Sequence, residues 1–360
     1  MKKATLLIYI IIFLIICIVP SMLTLFGVES QNFERRELAS APNLIDDGFN
    51  LKFTKQFDDY FSDNFALRPY FVTAYATLSE KIFKTSISEK VIIGKNGFLF
   101  FSNTLNSFTG QDLMTDEDLD KICKKLKNEQ DKLSAQGKEF LFIAAPNKNT
   151  IYPENMPNRF KKLDGDTNMA SLFKKMDNYN INYIDLTDSL IDLKSSEQIY
   201  HNEDSHWNNY GAMIAYNVIM QRIKILLPEK TYPVYLDMEY QKKNIHKGDL
   251  ATMLYPSKQQ SDMQIVYDMP NNYTSKRPIV SFIAIEIITE NETQNKSALV
   301  FRDSFFNAQI AFFSDAFGNI EYTRKVPYDF NGIENKNVDI VILEIVERNL
   351  PLLIENLNLN

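Results

Sequence analysis

Apolar and polar residues alternate in blocks along most of the chain, and the lengths of the blocks predict the secondary structure. Four short apolar runs are typical of buried strands; they lie at residues 140–145, 181–186, 297–301 and 338–346. Longer stretches with apolar residues every three or four positions predict helices; they lie at residues 115–136, 208–227 and 305–317. Strands separated by helices indicate an α/β protein whose parallel sheet is covered on both faces.

Two further patterns precede this alternation, and one interrupts it. Aromatic residues on one helical face predict a helix that packs on the domain rather than a ligand platform; they are Phe53, Phe57, Tyr60, Phe61 and Phe65. Residues 91–100 hold two apolar runs around Asn96-Gly97, which predicts a β-hairpin. Residues 231–295 are rich in Tyr, Asn and Gln, and we interpret them as an insertion with no assigned structure.

The N-terminus carries an apolar segment behind two lysines. The stretch Ala4–Val28 is long enough to cross a hydrocarbon core, which needs about 20 residues. Bulky residues rather than a small-x-small site follow its unbroken apolar run, which favours a retained anchor over the alternative of a cleaved signal peptide. Because Lys2 and Lys3 are expected to stay in the cytoplasm, we expect the chain after residue 28 to lie outside, at a cell surface or in a periplasm.

The composition fits a folded protein with this organisation. Of the 360 residues, 45% are hydrophobic and 24% are charged, which excludes a disordered or disulfide-stapled chain. The patterns divide the chain into a membrane anchor at residues 1–28, a stalk with the aromatic helix at 29–90, and a main domain at 91–360. The insertion at 231–295 belongs to the third part.

Residue counts exclude several classes of site. The charge is 39 − 46 = −7, without a long basic run beyond the N-terminus, so a nucleic-acid-binding surface is not expected. Cys17 and Cys123 are too far apart for a CxxC metal or redox site. The 11 glycines form no phosphate-binding loop. The only histidines are His201, His206 and His246, which limits where imidazole chemistry can occur.

Two short segments hold residues that can do chemistry. Ser304 follows an apolar strand and precedes a predicted helix, a position where a serine hydroxyl can be exposed at the edge of a sheet. Asp204 and His206 stand two residues apart in a loop, so the carboxylate can orient the imidazole that activates the serine. Alternatives remain open: Asp303-Ser304 is also a common helix N-cap, and His201, Asp204 and His206 could be metal ligands.

At these residues the sequence resembles the SGNH-hydrolase-like polysaccharide O-acetyltransferases, the AlgX/AlgJ-like or DHHW family. Seven motifs follow the family's order over most of the chain beyond the apolar segment; they are Phe33–Ala39 with Pro42, Phe57–Arg68, Ile93–Phe100, Pro146–Lys148 with Tyr152–Glu154, Asp204–Trp207 with Gly211-Ala212, Phe301–Phe305, and Glu344–Arg348. Three positions depart from the family pattern: Ser205 replaces the second letter of D-H-H-W, Phe98 stands where Trp is common, and Arg302 stands where hydrolases often have Gly.

The resemblance implies an SGNH-hydrolase-like parallel sheet flanked by helices, with Ser304, His206 and Asp204 as the catalytic triad. Its implied oxyanion or substrate contacts are the Ser304 N–H, Asn147, Lys148, Tyr152, Arg302 and Arg348. The implied activity is transfer of an acetyl group to a polysaccharide hydroxyl through an acyl-enzyme, without a cofactor or metal, from a donor supplied by a multi-spanning membrane O-acyltransferase. A carbohydrate esterase with the same triad and a catalytically silent envelope scaffold remain alternatives.

Overall fold

The structure, a computed structural model, describes residues 2–28, 30, 32, 37–45, 48–236, 238–258, 261–267, 271–276 and 284–358. The chain forms two compact units, Met1–Ile93 with Asp249–Gln259, and Gly94–Gly248 with Gln260–Asn360. The motif residues Phe33–Arg36 and part of the insertion, residues 277–283, lie outside the described residues.

The helices and strands have the following bounds. The α-helices are α1 (Lys2–Leu25), α2 (Phe53–Asn64), α3 (Arg68–Phe83), α4 (Leu105–Thr109), α5 (Asp116–Ser134), α6 (Lys148–Ile151), α7 (Asn168–Asn178), α8 (Thr187–Leu193), α9 (Asn209–Leu226), α10 (Asp249–Leu254), α11 (Ile310–Ala316) and α12 (Leu353–Asn356). The 3-10 segments are Ser102–Thr104, Pro153–Asn155, Phe305–Gln309, Ile333–Asn335 and Glu347–Leu352. The strands are β1 (Val91–Ile93), β2 (Leu99–Phe101), β3 (Glu139–Ala145), β4 (Tyr183–Asp185), β5 (Tyr240–His246), β6 (Asp262–Tyr267), β7 (Thr274–Ser275), β8 (Glu286–Glu290), β9 (Ser297–Phe301), β10 (Asn319–Thr323), β11 (Tyr328–Asp329), β12 (Ile340–Val346) and β13 (Leu357–Asn358).

Seven strands of the second unit form its main sheet, in the order β4-β3-β12-β9-β10-β8-β7. The first five strands are parallel, and β8 and β7 extend the sheet antiparallel at one edge. In the middle of the parallel part, Val341 of β12 pairs with Phe140 of β3 and with Leu299 of β9. Every residue of β12 is buried, as expected for a parallel strand covered on both faces. The predicted α/β fold with a parallel sheet flanked by helices is confirmed.

Helices α5 and α7 cover one face of this sheet. Helix α5 begins with the predicted capping box, in which Thr115 and Asp118 each bond the other's backbone N–H. Its apolar residues, among them Leu119 and Leu126, pack with Leu172 of α7 into the same buried cluster as the β3 and β12 side chains. Burial of one helical face therefore fixes α5 on the sheet, as its periodicity predicts.

The strand ends determine where a site can form. β9 ends at Phe301, opposite Leu343 of β12, while β12 continues to Val346, opposite Ala145 of β3. The chain segment that follows β9 therefore runs beside the last residues of β12, at the carboxyl edge of the sheet. Open α/β sheets place their ligand sites at this edge.

Some predicted elements differ from the observed ones. The predicted helix at 305–317 is a 3-10 segment followed by the short helix α11. β10 was not predicted, because its five residues alternate polar and apolar side chains and contain no continuous apolar run. The insertion at 231–295 contains the antiparallel pair β5–β6, helix α10 and strand β8. At the predicted hairpin, strands β1 and β2 flank a turn in which Asn96 and Gly97 both have positive φ, at 54° and 78°.

The first unit contains the apolar helix and the aromatic helix. Helix α1 is long and apolar enough to cross a membrane, over Lys3–Leu25. In α2 the predicted aromatic face is present as a row of stacked rings, in which neighbouring centroids of Phe53, Phe57, Phe61 and Phe65 lie 5.9 to 6.4 Å apart. The predicted helix around these aromatic residues is thus confirmed.

Candidate active site

Ser304 lies in the turn that leads from β9 into the 3-10 segment. The side chain of Asp303, the residue before it, fixes this turn by accepting two backbone N–H groups. Asp303 Oδ1 accepts the Phe305 N–H at 2.8 Å, and Oδ2 accepts the Val346 N–H at 2.8 Å. The Asp303 N–H in turn donates to Glu344 Oε2 of β12 at 3.0 Å. The residue before the serine is therefore fixed to β12 through both its backbone N–H and its side chain.

The carboxyl group of Glu344 is buried beneath this turn. Burial, together with the nearby charge of Asp303, raises the pKa of Glu344 well above its ordinary value. A neutral Glu344 avoids two uncompensated negative charges under the serine. Asp303 caps the turn by accepting both N–H groups.

Arg302 is buried on the other side of the turn. Its guanidinium donates to Asn307 Oδ1 at 2.6 Å and to the carbonyl of Ala284 at 3.0 Å. Burial lowers the pKa of Arg302 to about 10, which keeps the group protonated at neutral pH. Because a guanidinium has only donors, the Asn307 atom that faces it must be the oxygen, and the Nδ2 group points to the other side.

His206 links Ser304 to Asp204. Its Nε2 lies 2.8 Å from Ser304 Oγ, and its Nδ1 lies 2.7 Å from Asp204 Oδ1. A carboxylate only accepts, so Nδ1 carries the proton and Nε2 is left to accept from the serine hydroxyl. The imidazole is partly exposed, with 26% of its side chain accessible, whereas Asp204 has 9% accessible. The three side chains thus run from a buried carboxylate to an accessible hydroxyl.

Asp204 is held by a second imidazole. Its other oxygen, Oδ2, lies 3.0 Å from His246 Nε2 at the end of β5. Burial alone would raise the pKa of Asp204, but the hydrogen bonds from His206 and His246 outweigh it and hold this pKa well below its ordinary value. Asp204 is therefore ionised throughout the physiological range.

His201 completes the group of histidines without joining the hydrogen-bonded chain. Its ring stacks on His246, with centroids 3.7 Å apart, and its Nδ1 lies 3.0 Å from the carbonyl of Met263. Burial, with a smaller contribution from His246, lowers the pKa of His201 to about 3. The metal alternative meets a difficulty at His206. Both nitrogens of His206 face protein groups, so a metal that binds this residue would have to displace Ser304 or Asp204. His201 Nδ1 donates to a carbonyl.

A cleft of about 180 Å³ opens at these residues. Besides the three histidines, Asp204 and Ser304, it is lined by Trp207, Asn209, Gln264, Phe305, Asn307 and Ala308. Ser304, His206 and Asp204 therefore border a space that a small acyl group can enter.

The remaining predicted site residues lie outside the lining of this cleft. The Asn147 side chain is buried, and the backbone N–H of Asn147 donates to Glu347 Oε2 at 2.8 Å. Burial raises the pKa of Tyr152 to about 12, and its hydroxyl accepts the Ile199 N–H at 3.2 Å. Arg348 lies over the Phe305 ring, 5.2 Å from its centroid. The expected direct contacts of Asn147 and Tyr152 with substrate thus find no support in this geometry, because their polar groups are turned into the protein. The contact expected of Arg348 stays a prediction.

Lys148 supports the site from behind. Its Nζ donates to the carbonyls of Leu99 and Asn202, both at 2.7 Å, and to that of Asp204 at 2.9 Å. A buried ammonium that bonds three carbonyls holds the loop that presents Asp204. Lys148 therefore positions the carboxylate and does not face the cleft.

Comparison with known proteins shows the family to which the chain belongs. The sequence model of the family described as "SGNH hydrolase-like domain, acetyltransferase AlgX" matches residues 91–281, more than half of the chain. The chain belongs to this AlgX family.

Two relatives are each named probable alginate O-acetylase AlgJ. That of Pseudomonas syringae pv. tomato is 25% identical over 272 residues, which are 71% of this chain and 61% of the relative. That of Pseudomonas fluorescens is 25% identical over 207 residues, or 57% and 51%. The chain thus spans less than two thirds of the length of these relatives.

Solved structures show the same fold as this AlgX-family chain. Bacillus cereus PatB1 with a sulfonyl adduct aligns with a TM-score of 0.54 at 17% identity, over 73% of this chain and 97% of that one. A DHHW family protein from Eubacterium siraeum aligns with a TM-score of 0.52 at 16% identity, over 75% and 99%. At such low identities the likeness concerns the fold alone.

Two residues of the AlgX-family site were not predicted as part of it. His246 lies 40 residues beyond His206 in the predicted insertion, and only the pairing of β5 with β6 brings it to Asp204. Asn307 reads as one polar residue in an apolar stretch. A signal existed for His246, since it is the third of three histidines in a chain where the other two flank Asp204.

Proposed function

We propose that this chain is an extracytoplasmic O-acetyltransferase that modifies a polysaccharide by way of an acyl-enzyme on Ser304. The observation that carries the proposal is the pair of contacts through His206, 2.7 Å to Asp204 and 2.8 Å to Ser304. Membership of the AlgX family supports acetyl transfer, and the names of the AlgJ relatives support a polysaccharide acceptor.

The first half-reaction places the acetyl group on the enzyme. Ser304 Oγ attacks the acetyl carbonyl carbon of the donor while its proton passes to His206 Nε2. The tetrahedral intermediate then expels the donor's leaving group, which takes the proton back from Nε2. Asp204 stays ionised and stabilises the imidazolium that exists between these two steps.

Two N–H groups are proposed to stabilise the oxyanion. The Ser304 N–H has no acceptor among the described residues, whereas Asp303 occupies the Phe305 N–H. The second donor is Asn307 Nδ2, because Asn307 lines the cleft with Ser304 and its Oδ1 is turned to Arg302. This assignment replaces the expectation for the Asn147 side chain, which is not part of the cleft.

The second half-reaction transfers the acetyl group. A sugar hydroxyl gives its proton to His206 Nε2 and attacks the acyl carbon, and the proton then returns to Ser304 Oγ as the enzyme is freed. None of these steps calls for a metal or cofactor. A carbohydrate esterase would run the same steps with water as the acceptor.

The proposed location follows from the first unit. We propose that residues 1–28 are a retained anchor, that 29–90 connect it to the body, and that residues 91–360 form the catalytic domain outside the cytoplasm. An acetyl group must then reach the outer side, and a multi-spanning membrane O-acyltransferase is the proposed supplier. Protease added to intact spheroplasts should digest the domain, while a mature protein that begins near residue 30 would contradict the anchor.

The central experiment measures acyl-enzyme formation and its acceptor. The full chain in detergent is mixed with an activated acetyl ester, and intact mass is followed with peptide mapping. We expect one acetyl group on Ser304. The variants Ser304→Ala and His206→Ala should each lose acylation on the order of a thousandfold, and together little more, because the two groups act as a unit. Ser196→Ala, which changes an exposed serine outside the cleft, is the control.

The same preparation distinguishes transfer from hydrolysis. Acetylated oligosaccharide that appears faster than free acetate supports the transferase. Acetate release that no added sugar changes would favour the esterase, and wild-type turnover by Ser304→Ala would refute both.

A further inference from the structure

Helix α3 exposes its apolar side chains instead of burying them. Tyr75, Leu78 and Ile82 recur at steps of three and four and are each more than half exposed, while Ala76 and Ser79 on another face are buried. A surface helix of a water-soluble domain shows the opposite arrangement, with its apolar stripe turned inward. The outward stripe of α3 is therefore unexplained by the packing of its own unit.

The stripe belongs to a concentration of exposed apolar residues. Among the described residues, ten large apolar side chains are exposed between residues 44 and 83, whereas eleven are spread over the second unit. Isolated exposed apolar residues are ordinary, but so many of them within one stretch of the chain indicate a surface that contacts something apolar.

A direct contact places this group at the end of the membrane-spanning candidate. The Ala66 N–H, in the turn between α2 and α3, donates to Thr24 Oγ1 at 3.0 Å. Thr24 lies in the last turn of α1, at the end opposite Lys3. Since α1 has 24 residues, it is about 36 Å long, enough to cross a hydrocarbon core of about 30 Å. The start of α3 is thus fixed at the level where α1 leaves the bilayer.

We propose that α3 lies in the lipid–water boundary on the outer side of the membrane, with Tyr75, Leu78 and Ile82 in contact with lipid. The composition of the stripe favours lipid over a protein partner. Aromatic residues are enriched at this depth of a bilayer, and lysines such as Lys81 extend their charged ends to the headgroups while their stems lie on apolar surface. This inference rests on the part of the proposed function that keeps α1 as an anchor.

The test places a tryptophan on α3 and measures its contact with lipid. Tyr75→Trp is prepared in the full chain, reconstituted in vesicles of phosphatidylcholine with or without bromine high on the acyl chains. Ile225→Trp is the matched control, because Ile225 is 67% exposed in the second unit and Tyr75 is 62% exposed. Trp207 contributes a constant background that the parent chain measures.

We expect brominated lipid to remove most of the emission that Tyr75→Trp adds and little of that from Ile225→Trp. Ile82→Trp provides a second reporter if Tyr75→Trp does not fold, with the same expected loss. Equal quenching of the α3 reporters and the control would overturn the inference. If the quenching is weak in both, the result favours a protein that covers the stripe. Intact mass of the vesicle-bound chain shows whether α1 is retained, so failure of the anchor is recognised separately, and acetyl transfer is assayed independently of either.

Discussion

His246 Nε2 and Asp204 Oδ2 lie 3.0 Å apart, on the carboxylate oxygen that His206 does not use. The buried carboxylate is therefore held between two imidazoles, one that faces the serine and one that does not. In the proposed mechanism this arrangement separates two tasks: His206 moves protons, and His246 fixes the group that orients His206.

Removal of His246 should weaken catalysis through Asp204. We expect His246→Ala to lower the rate constant of Ser304 acylation on the order of tenfold, as for the loss of one hydrogen bond to a charged group. Without this donor Asp204 should accept more strongly from His206 and favour its protonated form, so the acid limb of the rate profile should move to higher pH. His246→Gln, which keeps an N–H donor, should recover part of both effects. An unchanged acid limb in His246→Ala would contradict this role.

Asn307→Asp should separate oxyanion stabilisation from structure. The aspartate keeps an oxygen for Arg302 but removes the Nδ2 donor and adds negative charge beside the oxyanion. We expect acylation to slow by about a hundredfold or more, with little change in thermal stability. If the rate stays at the parental value, Asn307 is not the second donor. The comparison with Asn147→Asp shows whether the more buried asparagine has any effect beyond stability.

His201 should make the fold sensitive to acid. Its folded pKa of about 3 lies below the ordinary 6.5, so between these values the unfolded chain binds a proton that the folded chain does not. The free energy of unfolding should thus fall as pH drops from about 6.5 toward 3. His201→Asn should flatten this decline, measured by urea unfolding at pH 7 and pH 5. An equally steep decline in the variant would show that other groups cause it.

Gly248→Ala should displace the loop that carries Asp204. A Cβ at this position would lie 2.0 Å from the carbonyl oxygen of Glu203, a backbone atom that cannot rotate away. We expect acylation to fall more than stability explains. Gly137→Ala is the matched control, because φ there is +71° but no atom lies within 4 Å, so it strains the backbone away from the site. Similar activity in both variants would argue against the displacement.

Burial patterns explain why much of the fold could be predicted. The run at 297–301 coincides with β9, and the predicted helix at 208–227 differs from α9 by one residue at each end. Parallel strands bury both faces, so their apolar runs are continuous and visible in the sequence. β10 has no such run: its alternate residues Asn319 and Glu321 are less buried, because it borders the antiparallel edge.

The site was predictable only where its geometry is local. Asp204 and His206 share one loop, and Ser304 has its own strand-to-turn signal, so residue type and spacing indicate both pieces. The contacts of His246 and Lys148 depend on how distant segments pack, which neither spacing nor periodicity contains. For the same reason Asn147, correctly expected after a strand, has its side chain directed into the protein instead of the cleft.

Trp207 joins the two halves of the site, because its indole N–H donates to the carbonyl of Phe305 at 2.9 Å and its ring meets the Phe305 ring edge-on. It is the only tryptophan of the chain. The tryptophan fluorescence of the unlabelled protein, excited at wavelengths that tyrosine does not absorb, therefore originates at the junction between the histidine loop and the serine turn. Refolding followed by this emission reports when those two segments meet, without any dye or engineered reporter.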